Sequence, residues 1–99
     1  MFVSDLSHYL DMPDTVPGPA RRMGELLGLI VQTATTRAPG DRWVTTIKCW
    51  RRLNHKPCAG SLEVSRNHRV ATISWECTVC HDDGIISGWE QTIYDATQH

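Results

Sequence analysis

The fold and the candidate site are both indicated by residues 75–84, which read WECTVCHDDG. The C-x-x-C spacing of Cys77 and Cys80 is typical of a tight turn that directs two thiolates at one metal ion, and the HDDG that follows favours a turn into another strand. Two further cysteines, Cys49 and Cys58, complete the pattern C-x8-C-x18-C-x2-C. Four thiolates satisfy tetrahedral Zn²⁺ and leave no open position, so we predict a structural zinc site at Cys49, Cys58, Cys77 and Cys80.

The spacing of the first cysteine pair leaves alternatives open. Eight residues between Cys49 and Cys58 are too many for one knuckle, so a loop or the ends of neighbouring strands must bring them together. A site of three cysteines with His55 or His81 is one alternative, and cysteines buried in the core without metal are another. A redox pair at the C-x-x-C is disfavoured, because such pairs normally open a helix after a strand.

Length and composition restrict the class of protein. The 99 residues suit a single domain, residues 1–99, and the 40% hydrophobic and 21% charged content is that of a folded chain. The longest apolar stretch, residues 26–31, is far shorter than the ~20 residues that cross a bilayer, so we expect no membrane contact. We also expect no secretory signal and a cytoplasmic location, where four cysteines indicate metal rather than disulfides.

Residue periodicity predicts an α+β fold. Pro19 and an apolar stripe spaced by three and four residues predict an amphipathic helix over residues 19–37. Residues 1–18 contain X-Pro pairs and are predicted to form an extended segment that leads into it. Residues 43–96 are predicted to form a zinc-stabilised antiparallel sheet. The predicted strands are residues 43–50, 61–66, 69–77 and a fourth that begins at Gly84. The predicted architecture is one N-terminal helix packed on a small β-meander of three to four strands with a zinc-ribbon-like site.

Charge is distributed unevenly along the chain. All ten Lys and Arg residues lie within residues 21–69, which contain only three acidic residues, and both ends are acidic. This pattern favours either charge pairing across the fold or an anion-binding face. The basic loop around residues 50–56 combines cations with an aromatic ring, which suits phosphate contacts and base stacking. Alternatively, its charge offsets that of four thiolates on Zn²⁺. The candidate contact residues are Trp50, Arg51, Arg52, His55 and Lys56.

Several segments resemble a recurrent signature of small uncharacterised bacterial proteins, in which a C-x-x-C knuckle precedes a D-G-x-I-S-x-W-E motif. These segments are residues 75–80, residues 83–90 with Thr92 and Asp95, residues 17–22 before the helix, and residues 56–60. The resemblance covers roughly residues 15–96 and implies no established activity. The Cys77–Cys80 turn is also similar to one half of a zinc ribbon, from which the eight-residue spacing of the first pair departs.

The sequence favours a binding role over catalysis. It contains no H-E-x-x-H, no Walker A loop, no G-x-G-x-x-G and no G-x-S-x-G, and a closed thiolate site cannot activate water. We expect a small binding or adaptor module that presents a surface to a protein partner, with nucleic acid as the alternative partner. A small metal-dependent enzyme and a redox-sensing zinc switch are further alternatives. Gly24 and Gly28, with the apolar Leu26 and Leu29, suggest a homodimer through the helix over residues 19–37.

Overall fold

The computed structural model describes residues 1–11, 18–53 and 56–98. Within these ranges the chain forms seven strands, two α-helices and a final 3₁₀ turn. They are β1 (Phe2–Asp5), α1 (Leu6–Leu10), α2 (Gly18–Ala34), β2 (Arg42–Lys48), β3 (Arg52–Leu53), β4 (Lys56–Pro57), β5 (Ser61–Arg66), β6 (Ile73–Cys77), β7 (Asp83–Ser87) and the 3₁₀ turn Ala96–Gln98. The α+β class predicted from the sequence is confirmed.

Five of the strands form one mixed sheet in the order β1-β7-β6-β5-β2. Strands β2, β5, β6 and β7 pair in antiparallel fashion, as predicted. Strand β1 adds a parallel edge strand beside β7. The short strands β3 and β4 pair with each other between β2 and β5. Two hairpins, β2–β5 and β6–β7, therefore lie side by side. Because Leu62 pairs with Cys77, the tips of both hairpins are at the same end of the sheet.

One face of the sheet carries the hydrophobic core. Alternate residues of β5 and β6 are buried, as their period-two pattern predicts. The apolar stripe of α2 packs against this face. The fully buried side chains include Leu27, Ile30, Val31, Leu62, Val64, Ile73, Trp75 and Ile86. On the opposite face, the side chains that the structure describes are half-buried or exposed, and Val44 is 56% exposed.

The structure corrects the prediction of an extended segment over residues 1–18. Within residues 1–11, the extended part is Phe2–Asp5, and it is a strand of the sheet. The chain then turns into α1, because the Asp5 carboxylate accepts a hydrogen bond from the backbone N–H of Ser7 at 2.9 Å and so caps the helix. The remaining part of that prediction, residues 12–17, falls outside the described residues.

The helix predicted over residues 19–37 spans Gly18–Ala34. It ends early because the hydroxyl of Thr35 donates to the carbonyl of Val31 at 2.8 Å and also accepts from the N–H of Ala96 at 2.9 Å. Such side-chain bonds compete with helix propagation and here join the helix end to the C-terminal segment. No helix that the structure describes has the length and apolar content needed to span a bilayer.

Two predicted strands are longer than the observed ones. The strand predicted over residues 69–77 begins at Ile73, because Asn67 Oδ1 accepts the N–H groups of Arg69 and Val70 and so holds a turn. The strand predicted over residues 43–50 ends at Lys48, where the first hairpin tip begins.

Candidate metal centre

The four cysteines meet at the two hairpin tips. All four Sγ atoms lie within 4.8 Å of one another, with 3.8 Å between Cys49 and Cys80 and 3.6 Å between Cys58 and Cys77. These separations are too long for disulfide bonds of about 2.05 Å. A tetrahedral Zn²⁺ with Zn–S bonds of about 2.3 Å would place its sulfur ligands about 3.8 Å apart. The arrangement therefore fits a four-coordinate metal ion, and the predicted grouping of the four cysteines is confirmed.

Backbone pairing brings the widely spaced Cys49 and Cys58 together. The N–H of Cys49 donates to the carbonyl of Gly60 at 3.0 Å, and the N–H of Cys58 donates to the carbonyl of Arg51 at 2.8 Å. The short pair of β3 and β4 forms the end of this same hairpin. These bonds place one cysteine on each arm of a hairpin tip.

Cys77 and Cys80 are held by the tighter β6–β7 hairpin tip, which is hydrogen-bonded to the β2–β5 tip. The N–H of Cys77 donates to the carbonyl of Asp82 at 2.8 Å and closes the turn that contains Cys80. The N–H of Thr78 donates across to the carbonyl of Ser61 at 3.0 Å. This last bond fixes the two tips against each other, so each contributes two sulfur atoms to one centre.

Backbone N–H groups point at the sulfur atoms. Each of three cysteines accepts such a bond from the residue two positions later in the chain, at N–S distances of 3.4–3.5 Å. The donor and acceptor pairs are Arg51 to Cys49, Gly60 to Cys58 and Val79 to Cys77. Hydrogen bonds to the charged form of a titrating group favour that form, so this arrangement stabilises thiolates and hence ligands for a cation.

The thiol pKa values differ within the cluster. Burial raises the pKa of Cys49 to about 12. Burial also acts to raise the pKa of Cys77, but hydrogen bonds from the N–H groups of Val79 and Cys80 and from the side chains of Cys80 and Cys58 together outweigh it, and the net pKa falls to about 6. In the metal-free protein this lowered pKa favours the thiolate form of Cys77. A divalent cation bound there would favour loss of the remaining protons, because metal binding to thiols releases them.

Gly60 is a site residue that the sequence analysis did not single out. A Cβ atom added to it would lie 2.2 Å from the Sγ atom of Cys77 and 3.1 Å from the Cβ atom of Val79. Its backbone also donates to Cys58 and accepts from Cys49. The signal available in the sequence was C-x-G, a glycine at the position whose N–H must approach the sulfur closely.

The structure places the other predicted contact residues in different surroundings. Trp50 is half-buried, and its ring lies 4.6 Å from that of the buried Trp75. Arg51 forms an ion pair with Asp82 across the two tips at 3.3 Å. Arg52 and Lys56 are exposed on the short strands. His55 falls outside the described residues.

His81 lies next to Cys80 in sequence but is bound elsewhere. It adopts a φ of 61°, and its Nδ1 atom lies 3.3 Å from a carboxylate oxygen of Glu76. The four cysteines form the ligand cluster among the described residues, and His81 is not part of it.

The glycines proposed for a homodimer are covered within the chain. A Cβ atom added to Gly24 would lie 2.9 Å from the Cβ atom of Tyr9, and one added to Gly28 would lie 2.5 Å from the ring of Tyr94. These glycines therefore make room for α1 and for the C-terminal segment. Leu29 is 45% exposed on another part of the helix.

Comparison with known proteins finds no family model, no curated protein and no solved structure that matches this chain. The chemistry of the site and its surroundings therefore carries the functional argument.

Proposed function

We propose that the cysteine cluster binds one Zn²⁺ as a structural centre. The observation that carries this proposal is the set of Sγ separations, which includes 3.6 and 3.8 Å and matches the ligand spacing of tetrahedral zinc. Four thiolates favour zinc over hard cations, which prefer oxygen ligands. A full set of protein ligands leaves no position for a reactive water, so the centre supports a structural rather than a catalytic role.

We further propose that the zinc-stabilised sheet is a binding module whose partner is a protein. The supporting feature is the sheet face opposite the core, on which the described helices do not pack. It carries two exposed aliphatic side chains, Val3 at 74% and Val44 at 56% exposure, with the half-buried Ile85 near Val3. The two valines lie on the opposite edge strands β2 and β1, and the acidic side chains of β5, β6 and β7 lie between them. A mixed apolar and charged surface of this kind is compatible with a protein interface.

The charges on this face favour a basic partner. Glu63 pairs directly with Glu76 across β5 and β6, and Glu76 pairs with Asp83 across β6 and β7. Like charges in directly opposed positions repel each other. A cation placed between them would reduce this repulsion. Arg42 already does this, with contacts of 2.6 Å to Glu63 and 3.5 Å to Glu76. A depression of about 150 Å³ beside these side chains offers room for a further cationic group. We therefore expect a partner segment that carries Lys or Arg.

The alternative partner, nucleic acid, is less well supported by the hairpin tip. A stacking platform requires an aromatic face open to solvent, whereas Trp50 packs on Trp75. The Arg51 guanidinium contacts Asp82, so part of the basic charge of the tip is neutralised within the chain. The remaining positive charge offsets the net negative charge of a four-thiolate zinc centre.

Native mass spectrometry of purified protein, with and without a chelator, tests the metal. We expect one zinc per chain in the untreated protein and its loss on chelation, with a lower melting temperature in the metal-free form. A protein that carries no zinc, or that melts identically after chelation, would contradict the structural role.

Titration of isotope-labelled, zinc-loaded protein with defined probes tests the surface. We expect an arginine-rich peptide to shift backbone amide resonances of β5, β6 and β7, and a glutamate-rich peptide to leave them unchanged. Glu76→Gln, on the open face, should weaken this response, whereas Glu90→Gln, an exposed acid outside the sheet, serves as its matched control. Shifts confined to the hairpin tip on addition of a single-stranded oligonucleotide, with no response to the peptide, would favour nucleic acid instead.

A further inference from the structure

The four sulfur atoms differ in their access to solvent. Cys77 is fully buried, and Cys49 and Cys58 are 6% and 9% exposed. Cys80 is the exception, because it is only half-buried and follows the 57% exposed Val79 at the outer side of the turn. A small oxidant in solution therefore reaches the sulfur of Cys80 before those of the other three.

Two pairs of sulfur atoms make short contacts across the hairpin tips. Cys80 lies 3.8 Å from Cys49, and Cys58 lies 3.6 Å from Cys77. Both pairs join one hairpin tip to the other. A disulfide of about 2.05 Å requires each pair to close by less than about 2 Å. The hydrogen bond between the tips, from Thr78 to Ser61, holds the partners in position for this closure.

From these two observations we propose that Cys80 is an oxidation site of the cluster and that Cys49 resolves it, giving a Cys49–Cys80 disulfide between the hairpin tips. The inference rests on the proposed zinc centre, since it describes how that centre responds to a peroxide. The disulfide therefore forms between the two hairpin tips and not within the C-x-x-C turn.

The reaction uses hydrogen peroxide as the oxidant. The Cys80 thiolate attacks one peroxide oxygen, the O–O bond breaks, and hydroxide leaves, which gives a sulfenic acid on Cys80. The Cys49 thiolate then attacks that sulfur, the S–S bond forms, and the S–O bond breaks with loss of a second hydroxide. The two sulfur atoms together lose two electrons, and the peroxide is reduced. Zn²⁺ leaves because two of its four ligands are no longer thiolates.

This pairing has a consequence for the fold. A disulfide between Cys49 and Cys80 replaces the metal as a cross-link between the two tips, whereas a disulfide between Cys77 and Cys80 would leave the tips without one. The oxidised protein is therefore expected to keep its tertiary structure after zinc has left. Oxidation and chelation would then have different effects, since chelation removes the cross-link altogether.

The experiment treats zinc-loaded protein with one equivalent of hydrogen peroxide and follows zinc release with a chromophoric chelator. Trypsin then separates residues 49–51 from residues 70–99, which contain Cys77 and Cys80 together. We expect loss of the bound zinc and a linked pair of these two peptides, with fragmentation that assigns the bond to Cys80. Dimedone added with the peroxide should label Cys80 in preference to the other cysteines. A disulfide within residues 70–99, or dimedone on a buried cysteine, would overturn the proposal.

A matched variant and a metal-free sample separate this inference from the zinc assignment. In Cys49→Ser the sulfenic acid lacks its resolving partner, so dimedone labelling of Cys80 should increase and the linked peptide pair should be lost. If Cys49→Ser does not fold, the peptide mapping of the unmodified zinc-loaded protein still tests the pairing. Absence of zinc before oxidation would contradict the proposed centre, whereas zinc release with the wrong pairing would contradict only the present proposal.

Discussion

Gly60→Ala tests whether the close approach of backbone to sulfur is required for the metal centre. The added methyl carbon would lie 2.2 Å from the Sγ atom of Cys77, whereas non-bonded carbon atoms in contact are about 3.5–4.0 Å apart. Cys77 is fully buried and cannot turn away to solvent. Either the first tip or the sulfur must therefore move by more than about 1 Å.

The expected cost of this movement comes from two effects with opposite signs. Insertion of a methyl group into a close-packed site costs about 1–3 kcal/mol. Replacement of glycine by alanine recovers about 0.4–1 kcal/mol by restricting the unfolded chain. Because Gly60 also donates to Cys58 at 3.4 Å, we expect zinc affinity to fall by about 10–100-fold, the usual loss when a supporting residue of a metal site is changed.

Competition with a chelator of known affinity measures this loss, and thermal unfolding of the zinc-saturated protein measures the change in stability. A change of 1 kcal/mol corresponds to about 4–8 °C in Tm for a domain of this size. Gly18→Ala is the matched control, because its added Cβ atom would meet only the end of the Arg22 side chain at 3.6 Å, an ordinary contact. If Gly60→Ala binds zinc and melts like the unmodified protein, the inferred packing of the tips is wrong.

Three further predictions concern other parts of the molecule. Gly28→Ala places a methyl group 2.5 Å from the Tyr94 ring, so we expect a loss of about 1–3 kcal/mol in the free energy of unfolding, measured by denaturant titration. In the metal-free protein, ultraviolet thiolate absorbance should show one group with a pKa of about 6. Because the pKa of Cys77 is lowered from 9.0, the stability that this thiolate contributes is present above pH 9 and is lost as the pH falls through 6. Titration of every thiol above pH 8 would contradict this assignment. Arg51→Ala removes the ion pair with the Asp82 side chain but keeps the N–H directed at sulfur, so we expect unchanged zinc stoichiometry and a stability loss of no more than about 1 kcal/mol by thermal melting.

The strands of the sheet could be predicted from the sequence wherever one face of a strand is buried. Alternation in residues 61–66 and 73–77 identifies Leu62, Val64, Ile73 and Trp75 as core residues, and the structure confirms this. The parallel strand Phe2–Asp5 was not accessible in this way. Its four residues are too few for a clear pattern, and its partners begin at Gly84, some eighty residues away. Pairing over such a separation is decided by tertiary packing rather than by local preference.

The cysteine cluster could be predicted from composition and spacing, but the backbone contacts that assemble it could not. The C-x-x-C turn indicates Cys77 and Cys80 because the local spacing itself defines the geometry. The approach of Cys49 to Cys58 depends on the backbone pairing of a whole hairpin tip, including the bond from Cys58 to Arg51. The contact between Gly60 and Cys77 depends in addition on how two separate hairpins align, which spacing along the chain does not define.

The position of the centre explains why this fold would depend on a metal at one end only. Toward the middle of the sheet, Val64 and Trp75 pair directly across β5 and β6, the strands that α2 contacts, so apolar burial stabilises that region. At the hairpin tips the chain buries cysteines, and the half-buried ring of Trp50 packs against Trp75. The cation that we propose on the four sulfur atoms would supply there the cross-link that the core supplies elsewhere. Metal removal should therefore increase amide hydrogen exchange first at the tips, around Gly60 and Val79, and only later around Val64, whereas uniform loss of protection would show that the sheet and the centre unfold as one unit.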